Sequence, residues 1–140
     1  MEELTGQLVV VHPQLTTDPV SRQGQIGVIA TVDLKSDTIG VGFGAGPLGK
    51  YSSEALLVLK NKNELYQDVM TGVKEMDAKT FHDLLDLNMK QERSDYVNVS
   101  AAMKIALENP EVMKRSMISL EDYISRNHHI NISEEVSFER

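Results

Sequence analysis

Gly40-Val41-Gly42-Phe43-Gly44-Ala45-Gly46-Pro47-Leu48-Gly49-Lys50-Tyr51 holds five of the chain's nine glycines within ten residues, and three structures share this spelling. Gly44, four residues and then Gly49-Lys50 is the spacing of a phosphate loop. Such a loop needs Ser or Thr next to hold magnesium, free amides along its length, and a helix whose N-terminus meets the anion. Here Tyr51 stands at the hydroxyl position, Pro47 removes an amide, and apolar Leu56-Leu57-Val58-Leu59 arrives where the helix belongs. Gly44-Ala45-Gly46-Pro47-Leu48-Gly49 also satisfies Gly-x-Gly-x-x-Gly, but the strand, helix and strand unit that gives that fingerprint meaning is missing. The remaining structure is a bend between two strands. Gly40 and Gly42 then lie on a strand face where something packs closely, and Gly44, Gly46 and Gly49 supply positive φ for the bend.

The flanking residues agree with a bend. Thr38 to Phe43 alternates Ile39, Val41 and Phe43 against Thr38, Gly40 and Gly42, which is the period of a strand. Upstream, Gln25 to Asp33 places Ile26, Val28, Ala30 and Val32 on one side and Ile29 on the other. The polar Leu34-Lys35-Ser36-Asp37 between them predicts an antiparallel hairpin. Gln7 to Val11 is a short β-branched run ending at His12-Pro13, and Pro13 to Gln23 has no periodicity and is expected to be an exposed excursion. Ser53 to Lys60 supplies a further strand, with one helical turn an alternative at its start. Four or five short strands in 60 residues suggest a barrel.

From Asn61 the period changes. Leu65, Val69, Val73 and Met76, then Phe81, Leu84, Leu85 and Met89, then Val99, Met103, Ala106 and Leu107 recur at helical spacing. Asn109-Pro110-Glu111 is an N-cap, a proline at the first helical position and an acid in the first turn, after which Met113, Met117, Leu120 and Ile124 line one face. Four amphipathic helices are predicted, with boundaries near Asp77, Ser94 and Asn109, and their short connections favour a shared core. Met76, Met89, Met103, Met113 and Met117 read as filling that core. Residues 128–140 are expected to be a tail, either frayed or with Ile130 to Phe138 adding a weak strand. The expected organisation is therefore α+β: an N-terminal barrel over residues 1–60, a helical region over 61–127 and the tail.

The whole-chain balance narrows the partners. With 41% apolar residues the 140-residue chain can bury a core. Its net charge is −7, concentrated in residues 63–140, and no stretch has more than two adjacent basic residues. An acidic surface disfavours generic nucleic-acid binding. The absence of cysteine removes disulfides, thiolate metal sites and cysteine nucleophiles. No long apolar run and no basic-then-apolar start is present, so a cytoplasmic protein without membrane association is expected. His128 and His129 are adjacent and diverge, His12 precedes proline, and His82 lies on the polar side of a helix, so no metal or cofactor is expected. Asp83 with Asp86, and Glu121-Asp122, read as helix surface, and no nucleophile-elbow pattern occurs, so no enzyme is expected.

Arg22-Gln23-Gly24-Gln25-Ile26-Gly27-Val28-Ile29, with Val32-Asp33, Asp37 to Phe43, Gly46, Gly49 and Leu56, resembles the small SH3-like barrels of the KOW and Tudor-like type over about residues 6 to 60. More loosely, Gly6 to Pro13 and the order barrel then helices are similar to CarD-type transcription regulators. The helical half of those regulators uses basic residues on DNA and this one is acidic, so DNA binding is not carried over. The resemblance implies recognition through the rim or the exposed strand edge. Tyr51, Lys50 and Arg22 are the candidate partner-binding residues, with Tyr51 alternatively a barrel-closing tyrosine and Phe43 assigned to the core. The expected function is a non-enzymatic module binding a protein partner. The alternative is a transcription- or translation-associated regulator contacting RNA, ribosome or RNA polymerase.

Overall fold

A computed structural model describes residues 4–14, 22–44, 46–93 and 95–126. The excursion residues 15–21 and the tail from 127 onward, including the strand expected at Ile130 to Phe138, lie outside the described residues. The fold is α+β, with a six-stranded antiparallel sheet and helices.

The strands are β1 (Leu8–Val11), β2 (Ile26–Asp33), β3 (Thr38–Gly42), β4 (Gly49–Tyr51), β5 (Leu56–Leu59) and β6 (Met117–Ser119), in the order β4-β3-β2-β1-β5-β6. β2 and β3 form the expected hairpin, pairing Val28 with Gly42 and Asp33 with Thr38. The glycine run is the bend that returns β3 into β4, where Val41 pairs with Gly49 and Ile39 with Tyr51. Gly44 and Gly46 have φ of 96° and 84°. Gly49 lies in a strand and has no positive φ, which corrects the role expected of it. Leu48 covers Gly40 and Gly42, whose missing side chains leave it that space. A 3-10 turn at Ser53–Ala55 precedes β5.

β1 is apolar at every position because it is central and covered on both sides. Its alternate residues feed two cores. Leu8 and Val10 join Leu57 of β5 and Met117 of β6 beneath the helices, while Val9 and Val11 join Ile29, Ile39, Val41, Tyr51, Leu56 and Val58 on the other face. A β-bulge between Ile29 and Thr31 sets the membership of β2. The extra residue restores Val32 to the side of Ile29, so β2 does not keep Ile26, Val28 and Val32 on one face as period two alone predicts. All of β1 to β5 contribute to the second core. The Ser53 amide donates to the Asp37 carboxylate at 3.1 Å, tying the β2–β3 turn to the turn before β5. The ladder nevertheless runs open from β4 to β6, and a closed barrel is not what the strand pairing forms.

The helices are α1 (Lys62–Thr71), α2 (Ala78–Gln91), α3 (Tyr96–Glu108) and α4 (Pro110–Ser116). Each begins on an Asn or Asp side chain that accepts first-turn amides: Asn61, Asp77, Asp95 and Asn109. Leu65, Val69, Leu84, Leu87, Ala102, Met103, Ala106 and Val112 form the face that packs on Leu8, Val10 and Leu57. The fourth helix does not continue through Ile124. It stops at Ser116, whose hydroxyl donates to the Val112 carbonyl, and Met117 turns extended at φ −120° and ψ 148° to begin β6. Pairing of Leu57 to Leu59 with Met117 to Ser119 uses the open edge of β5, which outweighs continued helix. Residues 120–126 are again helical, and Leu120, Tyr123 and Ile124 close the second core.

Candidate functional site

The rim residues come apart in the fold. Tyr51 is 5% exposed, its ring meeting Phe43 edge-on at 6.5 Å between centroids, so of its two expected roles the structural one holds and the ring is part of the second core. Inward alternation carries it there, since Ile39, its β3 partner, is wholly buried. Lys50, one residue earlier, is exposed and points to the opposite face. Arg22 lies over the Phe43 ring at 5.2 Å and donates to the Gln25 side chain at 3.1 Å. Phe43 itself is half-buried and packs against the second core, with Arg22 covering it. Arg22 and Lys50 are thus not brought to one face.

A larger concavity opens elsewhere, at the junction of sheet and helices. This cleft of about 800 Å³ is walled by Gly6 to Leu8 at the start of β1, by Leu59 to Lys62 between β5 and α1, by the first turn of α3 and by Tyr123 and Arg126. Its lining is aromatic and apolar at Tyr96, Val99, Met103, Ile118 and Tyr123, with charges around them.

Buried amides hold the β5–α1 wall. Asn88 of α2 is 7% exposed and donates to the Lys62 carbonyl at 2.9 Å and to the Gln91 side chain at 3.2 Å. Gln91 in turn donates to the Lys60 carbonyl at 2.8 Å. Buried amide groups need such partners, and here they fix the turn that carries both lysines. Most of the surrounding charge is matched locally. Arg126 pairs with Glu64 at 2.8 Å and Lys60 with Asp68 at 3.1 Å. Asp95 caps α3, and the Asn98 backbone amide and side chain hold its carboxyl below the usual aspartate range. Lys62 is exposed at the same margin.

The arrangement suits binding. Two tyrosines and aliphatic side chains can hold an apolar or aromatic group, and the margin offers hydrogen bonds without a strong net field. Sequence periodicity found Val99 and Met103 as helix core but gave no sign that Tyr96 and Tyr123 share a cavity with residues 6 to 8. That juxtaposition spans the length of the chain and has no local signal. Among the described residues no group of three His, Asp or Glu side chains is placed to hold a metal ion, and no helix is long and apolar enough to cross a membrane. No protein family, characterised protein or solved structure matches the chain significantly.

Proposed function

We propose that the chain is a non-enzymatic interaction module that binds a protein partner, with the sheet–helix cleft as its principal seat. The observation that carries this is the grouping of Tyr96, Tyr123, Val99 and Ile118 in one open cleft whose acids are engaged locally. Aromatic residues supply large contact area at low entropy cost, which is why they dominate protein-binding hot spots. Arg22 stacked on Phe43 is a smaller second contact at the sheet rim, separate from Lys50 on the outer face. A small, incompletely closed SH3-like barrel of the KOW or Tudor-like type is the architecture proposed for β1 to β5, supported by the second core that all five strands share.

Contact with RNA, ribosome or RNA polymerase is the second reading. Lys60, Lys62 and Arg126 beside two tyrosines favour it, because basic and aromatic side chains together can hold a nucleic-acid strand. The pairing of Lys60 and Arg126 with acids, and the net charge of −7, weigh against it. Co-purification of the full chain from its native cell, followed by the same capture with Tyr123→Ala and Lys62→Glu, separates the two. A protein whose recovery falls about tenfold or more with Tyr123→Ala, the loss of one hot-spot side chain, supports the proposal. Recovery of RNA alone, with affinity falling steeply as salt rises, overturns it.

A further inference from the structure

The cleft deepens along α3. Tyr96, Val99 and Met103 follow one another at spacings of three and four and so share the helix face turned into it. Their exposure falls from 60% at Tyr96, through a half-buried Val99, to 1% at Met103. Tyr96 therefore stands at the mouth and Met103 at the floor. From that position the Tyr96 hydroxyl reaches the opposite wall and donates to the carbonyl of Gly6, ninety residues away in sequence.

The Gly6 carbonyl belongs to the same planar peptide unit as the Gln7 N–H. That N–H donates to the Leu4 carbonyl at 3.1 Å, and the Gly6 N–H donates to the Ile29 carbonyl at 2.8 Å. The Gly6–Gln7 peptide plane is thus held at both ends, by Tyr96 on one side and Leu4 on the other. Gly6 sits at φ +92°, and a β-carbon there would lie 3.3 Å from the phenol oxygen. Glycine spares the phenol a shift of a few tenths of an ångström, and it is also the residue that most readily lets the plane rotate once the phenol leaves. Because the ring is largely in water, its hydroxyl exchanges the Gly6 carbonyl for solvent at small net cost.

We propose that Tyr96 is a latch on the mouth of the cleft: bonded to Gly6 it holds its ring across the opening, and on release it swings outward and admits the partner. The latch presupposes that the cleft is the binding seat, but its test needs no partner. Tyr96→Phe keeps the ring and removes the donor. Hydrogen exchange of the full chain then reads the bond through the Gly6–Gln7 peptide plane that it holds. The Gln7 amide is expected to exchange about threefold to tenfold faster in Tyr96→Phe, the range that loss of one ordinary hydrogen bond gives. The amide of Val99, within the first turns of α3, keeps its rate. The chain has no cysteine, so Val99→Cys introduces a single thiol inside the cleft. Its alkylation by iodoacetamide is expected to speed up severalfold when Tyr96→Phe is added.

Unchanged Gln7 exchange, or an unchanged alkylation rate, overturns the latch. So does equal acceleration across α3, which would mean that the substitution only frays the helix. Faster Gln7 exchange and faster labelling in a chain whose cleft captures no partner would keep the latch and overturn the binding seat. Partner capture through Tyr123 with neither rate altered would do the reverse.

Discussion

Gly49 and Gly44 lie five residues apart in the same glycine run and are glycine for different reasons. Gly44 has φ +96° and open space where a β-carbon would lie, so its requirement is conformational. Gly49 has strand geometry, but an added β-carbon would lie 2.6 Å from Cε2 of Tyr51 and 2.8 Å from its hydroxyl oxygen. The Tyr51 ring leans along β4 and occupies the volume a side chain would need. Gly49→Ala is therefore expected to destabilise the protein by about 1 to 3 kcal/mol, the usual cost of overfilling a packed site. The same change made in a Tyr51→Ala background should cost much less. Denaturation midpoints of the four proteins in that cycle give the coupling, and an equal cost in both backgrounds would show that the ring is not the cause. Sequence spelling located this bend and excluded a phosphate loop, yet it left Tyr51 open between a surface contact and a barrel-closing tyrosine and assigned Gly49 to positive φ. The direction of Tyr51 depends on its pairing with Ile39 and the strand geometry of Gly49 on its pairing with Val41, and both pairings lie beyond local pattern.

At the scale of elements, α2 shows how periodicity is right about a helix and most of its inner face, with Phe81, Leu84 and Leu85 packed on the core, and wrong about the end of that face. The run Phe81, Leu84, Leu85 and Met89 predicts Met89 in the core, but Met89 is 70% exposed and the buried line is Thr80, Leu84, Leu87 and Asn88. A polar residue takes the inward place because it has backbone to hold: Asn88 and Gln91 tie α2 to Lys60 and Lys62 at the cleft wall. Asn88→Ala removes one of these ties from a buried position. It is expected to cost about 1 to 2 kcal/mol in chemical denaturation, and to lower partner capture more than that loss of stability explains. No change in the denaturation midpoint would mean that the amide tie contributes nothing. β6 makes the complementary case. Met113, Met117, Leu120 and Ile124 have faultless helical spacing, and their buried or partly buried positions are served by a short helix, a strand and a second helical stretch.

Across the whole molecule the two halves share a core. Leu8, Val10 and Leu57 face the helices and not solvent, and β6 returns from beyond α4 to pair with β5. Residues 1–60 alone would expose these side chains, each of which stabilises by about 1.5 to 3 kcal/mol when fully buried. That fragment is expected to show no cooperative thermal transition by circular dichroism, whereas the full chain unfolds in a single step. A sharp transition in the fragment would show that the sheet folds without its helices. Local chemistry determined the α+β class, the β2–β3 hairpin, the bend at the glycine run and the helix starts at Asp77 and Asn109. Turns, caps and hydrophobic period act over a few residues and can be seen there. Tertiary structure alone decided that the sheet stays open, that Tyr51 turns inward, that a strand interrupts the last helix, and that Tyr96 meets Gly6 across a cleft. Each of those depends on which distant backbone or side chain occupies the neighbouring space, and no short stretch of sequence carries that information.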